Sequence, residues 1–142
     1  MPYSRSMSAS LLYLVKQLEL SVRARLNDLV RPAGITALQY TALTVLERHD
    51  GLTTAKLARD SFVTAQTMAD MVATLEGRGL IRRERNPGNR RELHIYLTDE
   101  GAALLADLAG PVARLEERLV RDIDPEAFRH ILTSAWQSLA AS

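Results

Sequence analysis

The chain of 142 residues contains no cysteine. Without a thiol it cannot form a disulfide, supply a thiolate to a metal, or use a cysteine nucleophile or redox sensor. Aromatic residues are also scarce, at 5%, whereas hydrophobic residues make up 46% and charged residues 25% of the sequence. This composition is typical of a helix-rich globular protein rather than a disordered one. We therefore expect residues 1–142 to form a single domain with one core.

Long hydrophobic runs are missing as well. The opening residues, Met1 to Arg5, are not followed by an apolar run with a cleavage signal, and no segment has the length of a membrane span. We expect a cytoplasmic protein with no membrane partner. Neither sign of charge dominates, since the formal net charge is +1. A nucleic acid ligand would therefore require the positive charge to be concentrated in one region.

Signatures of catalysis are missing too. The three histidines lie far apart and no two have the spacing of metal ligands, so we expect ordinary surface or boundary residues at His49, His94 and His130. The sequence has no glycine-rich phosphate loop, no nucleophile elbow and no zinc-protease motif. We expect no catalytic residue, no metal and no cofactor, and a protein that is not an enzyme.

Apolar residues that recur every three or four positions predict long helices at both ends of the chain. A first helix should run between residues 8 and 30, and a second should start near Ala37, where Thr36 and Gln39 match a capping box. After Thr98 a fifth helix is expected to kink or break at Pro111, and a sixth begins near residue 125.

The middle of the chain predicts a helix-turn-helix. Thr53 or Thr54 would cap a short third helix, and Thr64 would cap a fourth that ends at Gly79. One face of the fourth helix is apolar at positions i, i+3, i+4 and i+7, which are Met68, Met71, Val72 and Leu75.

Two strands should follow, over residues 80–85 and 91–97, because the second alternates apolar and polar side chains. They are joined by Asn86-Pro87-Gly88-Asn89, which has the composition of a type II turn, since Pro fixes φ and Gly tolerates a positive φ. The predicted fold class is mainly α with a small β-hairpin: a winged helix-turn-helix flanked by long helices.

The hairpin is strongly basic. Between residues 78 and 91 the only acid is Glu84, against the arginines Arg78, Arg82, Arg83, Arg85, Arg90 and Arg91. Arginine presents a rigid fork of donors that suits phosphate oxygens and the narrow minor groove of DNA. An arginine-rich hairpin taken alone is more often a solvated surface, but its position directly after a capped helix-turn-helix favours DNA binding.

Short motifs around this unit carry a family resemblance. They are Leu52-Thr53, Leu57-Ala58, Val63-Thr64, Leu75-Glu76-Gly77-Arg78-Gly79-Leu80-Ile81, Asn86-Pro87-Gly88-Asn89-Arg90-Arg91 and Leu97-Thr98. With these motifs the stretch from residue 52 to residue 98 resembles the MarR family of bacterial regulators, and the flanking helices match that family in number and length.

The resemblance implies a reader of double-stranded DNA. The fourth helix would be the recognition helix in the major groove, and Arg90 and Arg91 would enter the minor groove. The predicted DNA-binding residues are Thr53, Thr64, Gln66, Thr67, Asp70, Arg83, Arg85, Arg90 and Arg91.

Two departures from the family pattern affect this site. Asn89 stands where family members carry an aspartate that can orient a wing arginine, and the recognition helix has Asp70 and Thr74 where a basic residue is common. An acid at position 70 would repel phosphate or accept a hydrogen bond from cytosine. We therefore expect the wing to supply most of the electrostatic attraction to DNA.

The first helix and the last two have more apolar surface than a small winged helix requires. A two-fold homodimer is predicted, built from residues 8–31 and 99–140, with the winged helix-turn-helix over residues 33–98. Its interface residues would be Leu11, Leu12, Val15, Leu119, Ile123, Phe128, Ile131 and Trp136. In the alternative interpretation, these residues only complete the core of one chain.

By resemblance alone, a small aromatic or anionic effector would bind between the dimer helices and the winged unit, lined by Tyr13, Lys16, Gln17, Gln39 and Tyr40. The leading hypothesis is thus a ligand-responsive repressor that binds a pseudo-palindromic operator as a homodimer. The alternative is a winged-helix module for protein association, with weak or no DNA binding. Salt-dependent binding to DNA separates the two.

Overall fold

The computed structural model describes residues 8–141, and the side chain of Arg90 lies outside that description. This part of the chain contains six α-helices and a three-stranded sheet. The helices are α1 (Leu11–Val30), α2 (Ala37–Arg48), α3 (Thr54–Asp60), α4 (Ala65–Gly77), α5 (Asp99–Leu119) and α6 (Pro125–Ala140). The strands are β1 (Leu52–Thr53), β2 (Ile81–Asn86) and β3 (Asn89–Leu97), and a 3₁₀ turn spans Arg31–Ala33. Within residues 8–141, no helix combines the length and the apolar character needed to cross a bilayer.

Most helices begin at capping residues that the sequence predicts, and Ser10, the cap of α1, was not predicted. The Thr36 hydroxyl accepts a hydrogen bond from the amide of Gln39, and the Gln39 side chain accepts one from the amide of Thr36. Single side-chain caps begin the other helices, because each satisfies an amide that has no partner within its helix. These caps are Ser10, Thr53, Thr64, Thr98 and Asp124.

The sheet has one strand more than the predicted hairpin. In the strand order β1-β3-β2, Leu52 pairs with Ile95 and Thr53 with His94, and all pairs are antiparallel. Thr53 caps the short helix, as predicted, but Leu52 and Thr53 also form a strand that the sequence analysis missed. A strand of two residues is too short to show alternation, and its pairing with β3 is a long-range contact that sequence periodicity does not reveal.

The prediction of a type II turn was wrong. Such a turn needs a positive φ at its third residue, and Gly88 does not have one. Instead, the side-chain oxygen of Asn86 accepts a hydrogen bond from the Gly88 amide at 2.9 Å. The side-chain oxygen thus takes the place of a backbone carbonyl as the hydrogen-bond acceptor in the turn, which is common for asparagine.

Helix α5 continues through Pro111 without a break. Proline removes the hydrogen bond to the carbonyl four residues earlier, which belongs to Asp107. Asp107 is exposed, so water can satisfy that carbonyl. The predicted break at Pro111 was therefore wrong, and a kink there stays a prediction.

The core lies between the helix-turn-helix, the inner face of the sheet and the first half of α5. Helix α6 contributes no buried residue to it. The largest fully buried side chains are Leu43, Leu46, Leu57, Met68, Leu75, Ile81 and Ile95.

Three elements meet at Gly79 and Leu80. Gly79 adopts φ +75 after α4, its amide donates to Glu76, and the Leu80 amide donates to Leu75, which together close the helix as a Schellman motif. Thr98, the cap of α5, donates its hydroxyl to the Gly79 carbonyl at 2.6 Å. The same region fixes the end of α4, the start of β2 and the start of α5.

This junction predicts an unequal response of two helical glycines to alanine. A Cβ at Gly101 would clash with the Leu80 carbonyl oxygen and lie 2.7 Å from Leu97 Cδ1, whereas a Cβ at Gly77 would meet nothing within 4 Å. We expect Gly101→Ala to lower the free energy of unfolding by about 2 to 3 kcal/mol. Gly77→Ala, the matched control, should raise it by about 0.5 to 1 kcal/mol. Chemical denaturation measures both, and equal effects would contradict this description of the junction.

Candidate nucleic-acid interface

The recognition helix α4 is held by its apolar side. Met68, Met71, Val72 and Leu75 are buried as predicted, which turns the opposite face to solvent. At its start, the Thr64 hydroxyl accepts a hydrogen bond from the Thr67 amide at 3.1 Å. Thr53 caps α3 in the same way by accepting from the Lys56 amide. Both hydroxyls therefore lie at helix N-termini, where backbone amides favour phosphate.

The exposed face of α4 carries the side chains predicted to read bases. Gln66 donates a hydrogen bond from Nε2 to Asp70 Oδ1 at 3.3 Å, so the two side chains form one polar unit. Thr67 and Thr74 lie on the same exposed side. Amide and carboxylate groups can discriminate base edges in the major groove. The structure thus brings Gln66, Thr67 and Asp70 together on one surface.

The wing, formed by β2 and β3, holds some arginines by ion pairs. Arg83 donates to the Glu76 carboxylate, with Nη2 2.6 Å from Oε1, and this contact lowers the pKa of Glu76. Arg82 pairs with Glu84 at 2.6 Å and lies over the Tyr96 ring at 4.7 Å from its centre. Because their charges are balanced within the fold, Arg82 and Arg83 have less net attraction for phosphate than their number suggests.

The tip of the wing has a different arrangement. Arg85 and Arg91 are exposed, and the predicted contact residue Arg90 has its side chain outside the described residues. The side-chain oxygen of Asn89 accepts a hydrogen bond from the backbone amide of Arg91 at 3.1 Å. Although Asn89 lacks a charge, it still fixes the backbone from which Arg91 projects.

Arg78 belongs to the basic stretch of the sequence, but its guanidinium forms hydrogen bonds within the fold. Its guanidinium donates to the Gly34 carbonyl at 2.6 Å and to the Ala33 carbonyl at 3.0 Å. It therefore joins the end of α4 to the turn between α1 and α2. Local sequence gives no sign of this contact, because the partners are more than forty positions apart.

The predicted effector residues do not share one cavity. Tyr13 accepts a hydrogen bond from Gln17 on exposed α1, Lys16 is exposed, and Gln39 is committed to its capping box. Tyr40 alone of these five lines a groove of about 570 Å³ between α1, α2 and α5. Burial and the nearby carboxylates of Glu116 and Glu47 raise the pKa of Tyr40, so its hydroxyl stays protonated.

The predicted interface residues are mostly uncovered in the single chain. Leu119 and Phe128 are half-buried and line a groove between α5 and α6, but the other six are exposed. Leu11 has 81% and Trp136 61% of its surface exposed. These six side chains do not complete the core of one chain. They are Leu11, Leu12, Val15, Ile123, Ile131 and Trp136.

The comparisons with known proteins agree with this architecture. The MarR family model matches residues 35–93, which span α2 to β3. The HTH-type transcriptional repressor Rv2887 of Mycobacterium tuberculosis (strain ATCC 25618 / H37Rv) is 31% identical over 116 residues, covering 82% of this chain and 78% of the relative. The chain belongs to the MarR family. The family members that match this chain are DNA-binding transcription regulators rather than enzymes.

Other known proteins also resemble this MarR family protein in sequence and structure. The transcriptional regulator HosA of Escherichia coli O111:H- is 35% identical over 81 residues, and the match spans 57% of this chain and 56% of HosA. The repressor CouR bound to a 23-mer DNA duplex superposes with a TM-score of 0.78 at 32% identity, covering 96% of each chain. CouR from Rhodococcus jostii RHA1 bound to p-coumaroyl-CoA gives a TM-score of 0.85 at 24% identity, covering 97% of this chain and 96% of CouR.

The wing geometry predicts different salt dependences for two arginines. Arg91 is exposed at the tip, whereas the charge of Arg83 is balanced by Glu76. We expect Arg91→Ala to reduce the slope of log affinity against log salt by about 1, because one counterion fewer is released. Arg83→Ala should change the slope much less. Fluorescence anisotropy with labelled duplex DNA measures both slopes, and an unchanged slope for Arg91→Ala would refute this role.

Proposed function

We propose that this MarR family protein is a cytoplasmic homodimeric repressor that binds a pseudo-palindromic operator and releases it when a small effector binds. The observation that carries the proposal is the joint exposure of two surfaces. One is the polar face of α4 with Gln66, Thr67 and Asp70, and the other is the arginine-bearing wing tip. A capped helix next to a basic hairpin can occupy adjacent major and minor grooves of one duplex.

The two surfaces have different roles in this proposal. Thr53 and Thr64 would contact phosphates, while Gln66, Thr67 and Asp70 would face base edges. Arg85, Arg90 and Arg91 would supply the electrostatic attraction, with Arg83 contributing less because of Glu76. Asp70 carries a negative charge towards the DNA, so affinity must come from the wing and selectivity from α4.

Capture of genomic DNA fragments by the purified protein, followed by sequencing, tests this function. We expect enrichment of one inverted repeat, including DNA upstream of the protein's own gene, with affinity that falls steeply as salt rises. Asp70→Ala should relax base preference at one operator position. If no fragment is enriched at low salt, the alternative function, a winged-helix module for protein association, is favoured instead.

The uncovered apolar surface supports a homodimer. Helix α6 has no buried residue, its apolar side chains lie on one side of the helix, and the start of α1 is also exposed. A contiguous apolar surface left exposed on a single chain is typical of a subunit interface. A two-fold axis through these helices would place two recognition helices about 34 Å apart, which is one turn of DNA.

A charge on the apolar side of α6 should prevent the dimer. Ile131 is 60% exposed in the single chain and lies on that side. We expect Ile131→Glu to give a monomer at micromolar concentration by sedimentation equilibrium, because a carboxylate would be buried without a partner. Gln137→Glu, which places the same charge on the opposite side of α6, should remain a dimer. A wild-type monomer at this concentration would contradict the proposed interface.

The groove around Tyr40 is the proposed effector site. It is lined by apolar side chains from α1 and α5, including Leu18 and Leu115, and by two cations, Arg25 and Arg118, with Glu116 as the one acid among the described lining residues. This mixture suits an aromatic acid, whose ring packs on apolar surface while its anion meets a guanidinium. The complex of CouR with p-coumaroyl-CoA supports the choice of probe.

Filling the groove should abolish the response to ligand. We expect p-coumarate or its coenzyme A thioester to release DNA from the wild-type protein. Leu115→Trp should retain DNA binding and lose this release, because the indole would occupy the groove. Ala106→Trp, at an exposed position of the same helix, is the control. Release from Leu115→Trp at unchanged ligand concentration would place the effector elsewhere.

A further inference from the structure

His94, predicted to be an ordinary histidine, has a hydrogen-bond acceptor at each ring nitrogen. Its Nδ1 lies 2.6 Å from the backbone carbonyl oxygen of Gly51, and its Nε2 lies 3.1 Å from Glu92 Oε1. His49 and His130 are exposed, and the described chain gives their rings no such pair of contacts.

These two acceptors determine how many protons the ring must carry. A carbonyl oxygen only accepts, so Nδ1 has to donate to Gly51. In the neutral ring, Nε2 would then point a lone pair at a carboxylate. A proton on Glu92 could relieve that contact, but its hydrogen bonds with His94 and Asn86 lower the pKa of Glu92. The positively charged imidazolium is therefore the form that satisfies both contacts.

The contact joins the wing to the loop before the helix-turn-helix. Gly51 lies between α2 and β1, and its amide donates to the Ile95 carbonyl at 2.9 Å. Asp50 in the same loop accepts a hydrogen bond from the Leu97 amide at 2.9 Å. These two hydrogen bonds and the one from His94 to Gly51 join the loop to β3. Among these three, the bond from His94 involves a group that ordinarily titrates near neutral pH.

The charged groups around the ring belong to several elements. On β2, Glu84 lies directly opposite His94 and is paired with Arg82, which also lies over Tyr96. On β1, Thr53 lies opposite from the other side. Because Arg82 is paired with Glu84, Glu92 is the charged group in direct contact with the His94 ring.

We propose that His94 is a proton-operated clamp that fastens the base of the wing to the loop preceding the helix-turn-helix. When the ring is protonated, β3 is held to Gly51 and the wing keeps a fixed orientation relative to α3 and α4. When the proton leaves, Nδ1–H can still donate to Gly51, but the Nε2 lone pair then faces the Glu92 carboxylate. This repulsion weakens the hold of β3 on the loop, and the wing becomes less firmly oriented. The resulting effect on DNA affinity rests on the proposed function, whereas the clamp itself does not.

The direction of the pH dependence follows from the contacts. The hydrogen bonds to Glu92 and Gly51 raise the pKa of His94 above its ordinary value. A group whose pKa is raised on folding stabilises the native state fully at low pH and loses that contribution as pH rises through the raised value. The clamp should therefore weaken as pH rises through this raised pKa, at a higher pH than an ordinary histidine would titrate.

A nuclear magnetic resonance titration of the His94 ring in the full chain without DNA tests the clamp directly. We expect a pKa above the ordinary value of about 6.5. Glu92→Gln should lower it, because an amide can donate to the neutral Nε2. His49, which is exposed in the same loop as Gly51, serves as the internal control. A titration of His94 at or below the ordinary value, or one unmoved by Glu92→Gln, would overturn the proposal.

Thermal unfolding and DNA binding between about pH 6 and about pH 8.5 supply the second readout. Wild-type protein and His49→Gln should lose stability over this range more steeply than Glu92→Gln and His94→Gln. DNA affinity should fall on the order of threefold to tenfold more in the wild type than in His94→Gln at constant salt. Parallel melting profiles for all four proteins would refute the clamp. If melting differs but no DNA is bound at any pH, the clamp stands and the proposed function fails.

Discussion

The close approach of backbone at Leu80 is the constraint on which the DNA-binding unit depends. Its amide closes α4, its carbonyl accepts the Thr98 amide, and that carbonyl leaves no room for a side chain at Gly101. The recognition helix, the first strand of the wing and the long helix α5 thus share one backbone segment. Because Leu80 is buried and both of its backbone groups are hydrogen-bonded, it fixes the start of β2 to the end of α4.

Electrostatics in this chain is a matter of location rather than total charge. The net charge is +1, and some arginines pair with acids or donate to carbonyls. Arg78, Arg82 and Arg83 are used in this way within the fold, although they lie in the basic stretch. At the wing tip, Arg85 and Arg91 are exposed on either side of Asn89. Local concentration is what a polyanion with closely spaced phosphates responds to.

Sequence reasoning succeeded where the determining contacts are local. Caps such as Thr36 and Thr64 and the apolar face of α4 involve residues within one or two helical turns, so their patterns are legible in the chain. Contacts between distant segments were missed, including β1 with β3 and Arg78 with the α1–α2 turn. For the site, the exposed face of α4 followed from periodicity. The groove at Tyr40 did not, because three helices separated in sequence form it.

The bonds from Arg78 to Ala33 and Gly34 have a mechanical consequence. They connect the far end of α1 to the end of the recognition helix, so α1 and α4 behave as one rigid arm. In a dimer, a shift of α1 would swing the whole arm about the subunit interface and leave its internal shape unchanged. Such a shift would change the distance between the two recognition helices of the dimer. DNA binding requires this distance to match the fixed spacing of the operator half-sites.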